Sequence, residues 1–287
     1  MNYILILIDY SPDYIRYTIN TILSIDKDAQ IYILSNKKLD YKNTKYININ
    51  DIKSDKISEF LSLDIYENSI FQDNPLWKTS ALRVLYLAEI KKLLNINSYV
   101  HFDNDVLIYK PYNEIKQIFQ KDKLNITRAS FKNIIFGYSF IGEGEYLSKL
   151  SDLFLDEIKY GINHNWAFNN GKPSNEMQML GSINKKNKNI FNLLPILPYE
   201  GDIVFDPSSY GQYIDGTHAK PKKLFQKGHV GLDTFIGVEI VAKRIKVKFK
   251  KGLPTLFWDG NEYDIANLHI HSKRLDKFVP NNYKNYI

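Results

Sequence analysis

The chain opens on a continuous apolar run, Tyr3–Ile8, of the length expected for a strand buried on both faces. Ser11 and Pro12 then suit the N-cap and first turn of a helix, and Ile15, Ile19, Ile22 and Leu23 follow at helical spacing. Gln30–Leu34 and Lys45–Ile49 read as the next two strands. From Thr79 to Leu94 the helical period returns, carried by Leu82, Leu85, Tyr86, Ile90, Leu93 and Leu94. Ser98–Phe102 is extended again. Strand and helix in this alternation predict a mostly parallel sheet in an α/β domain.

The second half is less regular. Ile134–Ile141 reads as a strand, and Glu145–Ile158 and Ser174–Ile183 as helices. The Asn- and Gly-rich stretch 161–173 reads as a loop that could move over a site. Near the end, Asp259-Gly260 is a turn signal between Thr255–Trp258 and Tyr263–His271, which predicts a small β-hairpin. No repeat or low-complexity linker divides the 287 residues.

Composition narrows the function classes. There is no cysteine, which excludes disulfides, thiolate metal sites and cysteine nucleophiles. The apolar run at the N-terminus is too short to span a bilayer and lacks a basic leader, so a cytoplasmic location is expected. Net charge is +6, with clusters at Lys185–Lys188 and Lys243–Lys251. That surplus suits phosphate-bearing substrates and leaves room for weak association with an anionic membrane surface, such as the inner membrane face. No recognition motif for DNA or RNA is visible, and no stable nucleic-acid partner is expected.

Chemistry concentrates in two segments. In YVHFDNDVLIY (Tyr99–Tyr109) an apolar strand runs into Asp103 and Asp105, which extended backbone would place on one side. Carboxylates at the carboxyl edge of a parallel sheet lie where open α/β folds place ligands, and their oxygens suit Mg²⁺ or Mn²⁺. In NLHIHSKR (Asn267–Arg274), His269 and His271 share one side of an extended segment, with Lys273 and Arg274 just beyond. Imidazole can complete an oxygen-rich Mn²⁺ site, and a neighbouring cation can neutralise phosphate. Removing Asp105 is therefore expected to abolish metal-dependent activity at little cost in stability, because it relieves carboxylate repulsion in the metal-free protein.

A helix reading WKTSALRVLYL, then a strand, then DNDVLIY, resembles the GT-A glycosyltransferases. The order of Asp103–Tyr109, Tyr210–Tyr213 (YGQY) and Asn267–Lys273 (NLHIHSK) resembles a bacterial and viral group among them, over roughly Trp77–Lys273. The resemblance implies a single GT-A domain over 1–287, a Rossmann-like mostly parallel sheet flanked by helices, with the C-terminal hairpin contributing to the site. Residues 1–110 would form the nucleotide-binding half and 111–287 the acceptor-side half. It implies a UDP- or GDP-sugar donor, a Mn²⁺ or Mg²⁺ cofactor, and a hydroxyl acceptor, in the first place a surface glycan. Asp105 would bind metal, Asp103 metal or ribose, and His269 or His271 would be the third protein ligand. Arg83 would reach the donor diphosphate or sugar, Lys273 the leaving phosphate, and Asp9 and Tyr10 the base. As acceptor base Asp215 or His218 is favoured, with Asp233 and Glu176 as further candidates. Trp166 could stack on a sugar ring or anchor its own loop.

Two other enzyme classes compete. A haloacid-dehalogenase-like phosphatase would use Asp103 and Asp105, with a second acidic motif at Gly201-Asp202 through Asp206. Its nucleophile strand normally opens the domain, whereas α/β sequence precedes Asp103 here. A sugar nucleotidyltransferase needs a Gly-rich loop after the first strand, and Asp9-Tyr10-Ser11-Pro12 has no glycine.

Overall fold

The computed structural model describes residues 1–63, 65, 75–216, 233–250 and 252–287. The amino-terminal part runs β1 (Asn2–Leu7), α1 (Ile15–Ile25), β2 (Gln30–Ser35), β3 (Thr44–Asn48), α2 (Asp55–Ser62) and α3 (Pro75–Leu94). It continues through β4 (Tyr99–His101), β5 (Val106–Ile108), α4 (Tyr112–Ile115), β6 (Leu124–Arg128) and β7 (Ile134–Ile141). Then come α5 (Tyr146–Asn163), α6 (Glu176–Lys186), β8 (Phe191–Leu193), β9 (Ile203–Val204), α7 (Ser209–Asp215) and α8 (Phe235–Val241). The chain closes with β10 (Ile245–Lys250), β11 (Leu253–Trp258), β12 (Asn261–Ile265) and β13 (Asn267–His269).

Seven strands form the main sheet in the order β3-β2-β1-β4-β7-β6-β8, all parallel except β7. The α/β expectation therefore holds: the sheet is mostly parallel and flanked by helices. The unbroken apolar run of β1 follows from burial on both faces. Ile4 and Ile6 pack into the layer containing Leu85, Phe136, Phe154 and Leu180, while Leu5 and Leu7 pack opposite with Ile19, Ile22, Phe102 and Phe140. One sheet thus takes strands from both halves of the sequence.

A second sheet, β10-β11-β12-β9, covers a third core containing Leu107, Tyr210, Ile236, Leu256 and Leu268. The Asp259-Gly260 hairpin turn is present, both residues at positive φ (47° and 78°). The long last strand predicted through His271 is instead broken at Ala266. β12 ends in the second sheet, and β13 leaves it to pair antiparallel with β5. This change of partner delivers the histidine segment to the end of β4.

Other boundaries shift for local reasons. α1 begins three residues past Pro12, whose carbonyl accepts from the Ile15 amide, so Ser11 is not its cap. α5 runs on to Asn163, shortening the predicted loop. Trp166, buried and in left-handed backbone (φ 50°), lies against Gly161, where a Cβ would meet its ring at 2.3 Å. That ring anchors the loop.

Candidate functional site

Asp103 and Asp105 come together through a tight turn rather than through extended backbone: β4 ends at His101, and the Val106 amide donates to the Asp103 carbonyl at 3.1 Å. The turn is held from three sides. Asn104 Nδ2 donates to Ile6 O at 3.0 Å, the Thr18 hydroxyl donates to Asn104 O and Val106 O, and the Asp103 amide donates to Phe136 O. These bonds come from β1, α1 and β7, so the turn is fixed by the sheet and the helix beneath it.

β13 brings His269 opposite Val106, and the Ile270 amide donates to Asp105 O at 2.8 Å. The His269 ring faces Pro207 O with Nδ1 at 3.0 Å, which directs Nε2 at Asp105 Oδ1 (3.0 Å) and toward Asp103 Oδ2 (3.8 Å). Lys273 pairs with the other oxygen of Asp105. Burial opposes charge on His269, but the charge and hydrogen bond of Asp105 outweigh it and push the ring up to about 9. Burial alone would raise Asp105, yet His269 and Lys273 hold it well below the usual carboxylate range. His271 stacks on His269 with centroids 4.3 Å apart, and burial plus the His269 charge push it down to about 3.

Asp206 is the residue the sequence did not single out for this site. Fully buried, it accepts from the amides of Tyr210 (2.9 Å), Gly211 (2.9 Å) and His269 (3.0 Å). It ties the YGQY helix turn to the histidine strand. Gly211 is required there: a Cβ would meet His269 O at 2.0 Å. The Tyr-Gly-Gln-Tyr segment is thus a structural seat for His269. Burial raises Asp206, and the three amides oppose that. With its oxygens taken by amides and Asp202 exposed, the second acidic motif of the phosphatase reading forms no metal site, which counts against that reading.

Arg83 is not a surface arginine of α3. Its guanidinium lies between Asp103 and Glu176 (3.0 Å to Oε1) and 4.9 Å over the Phe136 ring. Glu176 opens α6, where Asn175 and Gln178 form a capping box. Burial pushes Glu176 up to about 7, opposed by Arg83. Nothing along the sequence pairs Glu176 with Asp103, since a third residue supplies the link.

Asp9 and Tyr10 lie at the carboxyl end of β1, beside β4, and both are exposed. The Asp9 amide donates to Asn36 Oδ1, and the Tyr14 ring lies 5.7 Å from Lys273 Nζ. Asp215, at the end of α7, is engaged by the Ser272 hydroxyl (2.6 Å) and Arg274 Nε (2.8 Å). His218 lies outside the described residues.

As the side chains stand, no group of three or more His, Asp and Glu among the described residues is set to hold an ion. The donor chemistry fits one nonetheless: two carboxylates and an oriented imidazole nitrogen converge, and Lys273 and the His269 proton hold the charge a divalent cation would supply.

No protein-family profile and no curated protein matches the sequence. Solved structures similar to the chain include the galactosyltransferase LgtC in complex with donor and acceptor sugar analogs, at 13% identity and a TM-score of 0.45, over 82% of this chain and 86% of that one. Mouse xyloside xylosyltransferase 1, apo form, is similar at 9% identity and a TM-score of 0.44, over 68% of this chain and 85% of that one. The glycosyltransferase GlyE of Streptococcus pneumoniae is similar at 11% and 0.41, over 67% of this chain and 44% of that one, less than half of GlyE's length.

Proposed function

We propose that this chain is a GT-A-type glycosyltransferase that moves a sugar from a nucleoside-diphosphate sugar to a hydroxyl acceptor, a surface glycan in the first instance. The observation that carries the reading is the convergence of Asp103, Asp105 and the Nε2 of His269 at the carboxyl end of β4, with Lys273 beside them.

Asp103, Asp105 and His269 would hold Mn²⁺ or Mg²⁺. When bound, such a cation neutralises charge that develops on the departing diphosphate. Among the described residues His269, with Nδ1 turned to Pro207, is better oriented as the third ligand than His271, which backs it as a stacked ring. Lys273, paired with Asp105 in the metal-free protein, would supply a cation for the leaving phosphate. Asp9 and Tyr10, at the end of β1, would meet the base of a UDP or GDP group, so the base would lie on 1–110 while His269 and Lys273 reach the diphosphate from 111–287.

Arg83 acts through Asp103 and Glu176 rather than by reaching freely for the donor, because both carboxylates already bind its guanidinium. Asp215 must leave Arg274 before it can serve as a base, which favours His218 for that role.

The test is nucleoside-diphosphate release from a panel of UDP- and GDP-sugars, with Mn²⁺ and with EDTA. Release from one donor, lost with EDTA and in Asp105→Asn, is the expected result. Silence across the panel together with Mg²⁺-dependent cleavage of a generic phosphomonoester would refute the transferase reading.

A further inference from the structure

Asp215 is the last residue of α7, a place where the helix dipole disfavours a carboxylate. Its side chain is only 13% exposed, and among the described residues its hydrogen bonds go to one short segment. Arg274 meets it with a two-pronged fork: Nε donates to Oδ2 at 2.8 Å and Nη2 to Oδ1. The same Nη2 donates to the Asp215 carbonyl at 3.2 Å, and the Ser272 hydroxyl donates to Oδ2 at 2.6 Å. Ser272 and Arg274 flank Lys273, so the carboxylate holds the chain on both sides of the lysine.

The backbone at Lys273 is one that needs holding. It is left-handed (φ 64°), a conformation unfavourable for a residue with a side chain, and its amide donates to Ile270 O at 2.9 Å. From there the side chain turns back to pair with Asp105. The other end of α7 is tied to the same strand. Asp206 accepts from the Tyr210, Gly211 and His269 amides, and Gly211 lies against His269 O. The fully buried Tyr210 fixes the helix beneath, its hydroxyl donating to Ile196 O at 2.6 Å. The seven residues of α7 thus form a strut of roughly 10 Å, with His269 seated at one end and the Lys273 segment at the other.

We propose that Asp215 is a positioning residue for Lys273, and that α7 sets the spacing between the His269 imidazole and the Lys273 amine. What the amine does there rests on the transferase reading; how it is held rests on the hydrogen bonds alone. The arrangement separates this role from that of an acceptor base. A base has to offer an oxygen to a hydroxyl group, whereas Arg274 occupies both oxygens of Asp215 and Ser272 shares one of them.

The experiment compares Asp215→Ala, Arg274→Ala and the double variant in the full chain, with Lys273→Met to assign the lysine signal. Thermal melting checks the fold. Arg274 is half exposed, so its variant carries the comparison if Asp215→Ala melts below the working temperature. NMR relaxation of the Lys273 ε-methylene, without metal or donor, should show the side chain more mobile in each single variant and no more so in the double. In nucleoside-diphosphate release, kcat should fall about tenfold in each single variant and no further in the double. The donor KM should change less than about twofold, and the shape of the pH profile should be that of the parent chain. An Asp215→Ala variant whose Lys273 is as ordered as in the parent chain would overturn the proposal. So would losses that add in the double variant. An Arg274→Ala variant that keeps or gains turnover while Asp215→Ala loses it would also overturn it, because freeing the carboxylate helps a base and harms a clamp. If the parent chain turns over no donor, the transferase reading fails, and the lysine mobility still decides the clamp.

Discussion

Replacing Asp105 with Asn is expected to weaken the metal-free protein, by an amount that depends on pH. His269 is buried and sits 3.0 Å from Asp105 Oδ1, and its ring is raised from 6.5 to about 9. A group whose folded value lies above its unfolded one contributes stability that is fully present below about pH 6.5 and disappears as pH rises through 9. At about 1.4 kcal/mol per pH unit, the rise corresponds to about 3 kcal/mol. Asn keeps the shape but removes the charge, so burial then drives the His269 ring toward its neutral form. The variant should therefore lose about 3 kcal/mol at about pH 6, and the gap to the parent chain should narrow above about pH 9, where only the Lys273 pair of Asp105 remains. Urea unfolding across that range, in EDTA, gives the gap, while NMR titration of the imidazole gives its cause. The outcome reverses the expectation drawn from sequence, that losing Asp105 relieves repulsion, because the structure surrounds this carboxylate with His269 and Lys273. A ring titrating near 6.5 in the parent chain, or a stability gap that does not change with pH, would refute the reasoning.

Mn²⁺ affinity should rise with pH up to about 9, because ligation takes the His269 nitrogen that otherwise carries a proton. Calorimetry in two buffers of different ionisation enthalpy should show about one proton released per ion bound near neutral pH. Gly211→Ala should cost about 2–3 kcal/mol and loosen metal binding, since its Cβ would sit 2.0 Å from a backbone oxygen that cannot turn away. Thermal melting and Mn²⁺ titration of that variant check both halves, and an unchanged melting temperature would contradict the close approach.

The parts of the fold that repeat a period were legible in the sequence. β1 shows its burial on both faces as an unbroken apolar run, whereas α3, marked as a helix by its spacing, buries Ala81, Val84, Leu87 and Ala88 as well as the predicted stripe and leaves Leu93 exposed. The paired acidic and histidine segments were legible because each is a local cluster. What was hidden depends on partners far apart in the chain. The break at Ala266 is set by β13 exchanging β12's sheet for β5, and no residue type announces that exchange. Asp206 resembles any loop aspartate until three amides from two other segments are found to converge on it. Glu176 gains its role through Arg83 alone, a link across 93 positions of sequence.

This also explains how a cluster of carboxylates can sit in a buried turn before any cation reaches it. Buried acid groups without counter-charge would be forced to take up protons. Here Arg83 answers Asp103, while His269 and Lys273 answer Asp105, so the turn is neutralised by the chain itself. Those partners differ in how firmly they are held. Arg83 is locked by a second carboxylate and an aromatic ring, whereas Lys273 is a third exposed on a flexible stem at a left-handed residue (φ 64°). A cation arriving at Asp105 therefore competes with the weaker tether. Under the proposed reading, the amine it displaces is the one nearest to where a diphosphate would lie. The pairing that stabilises the metal-free turn and the cation that assists the leaving group would then be two uses of the same side chain. Lys273→Met separates them: it should leave Mn²⁺ affinity equal or higher while lowering donor turnover, and a parallel loss of both would assign Lys273 to holding the site together instead.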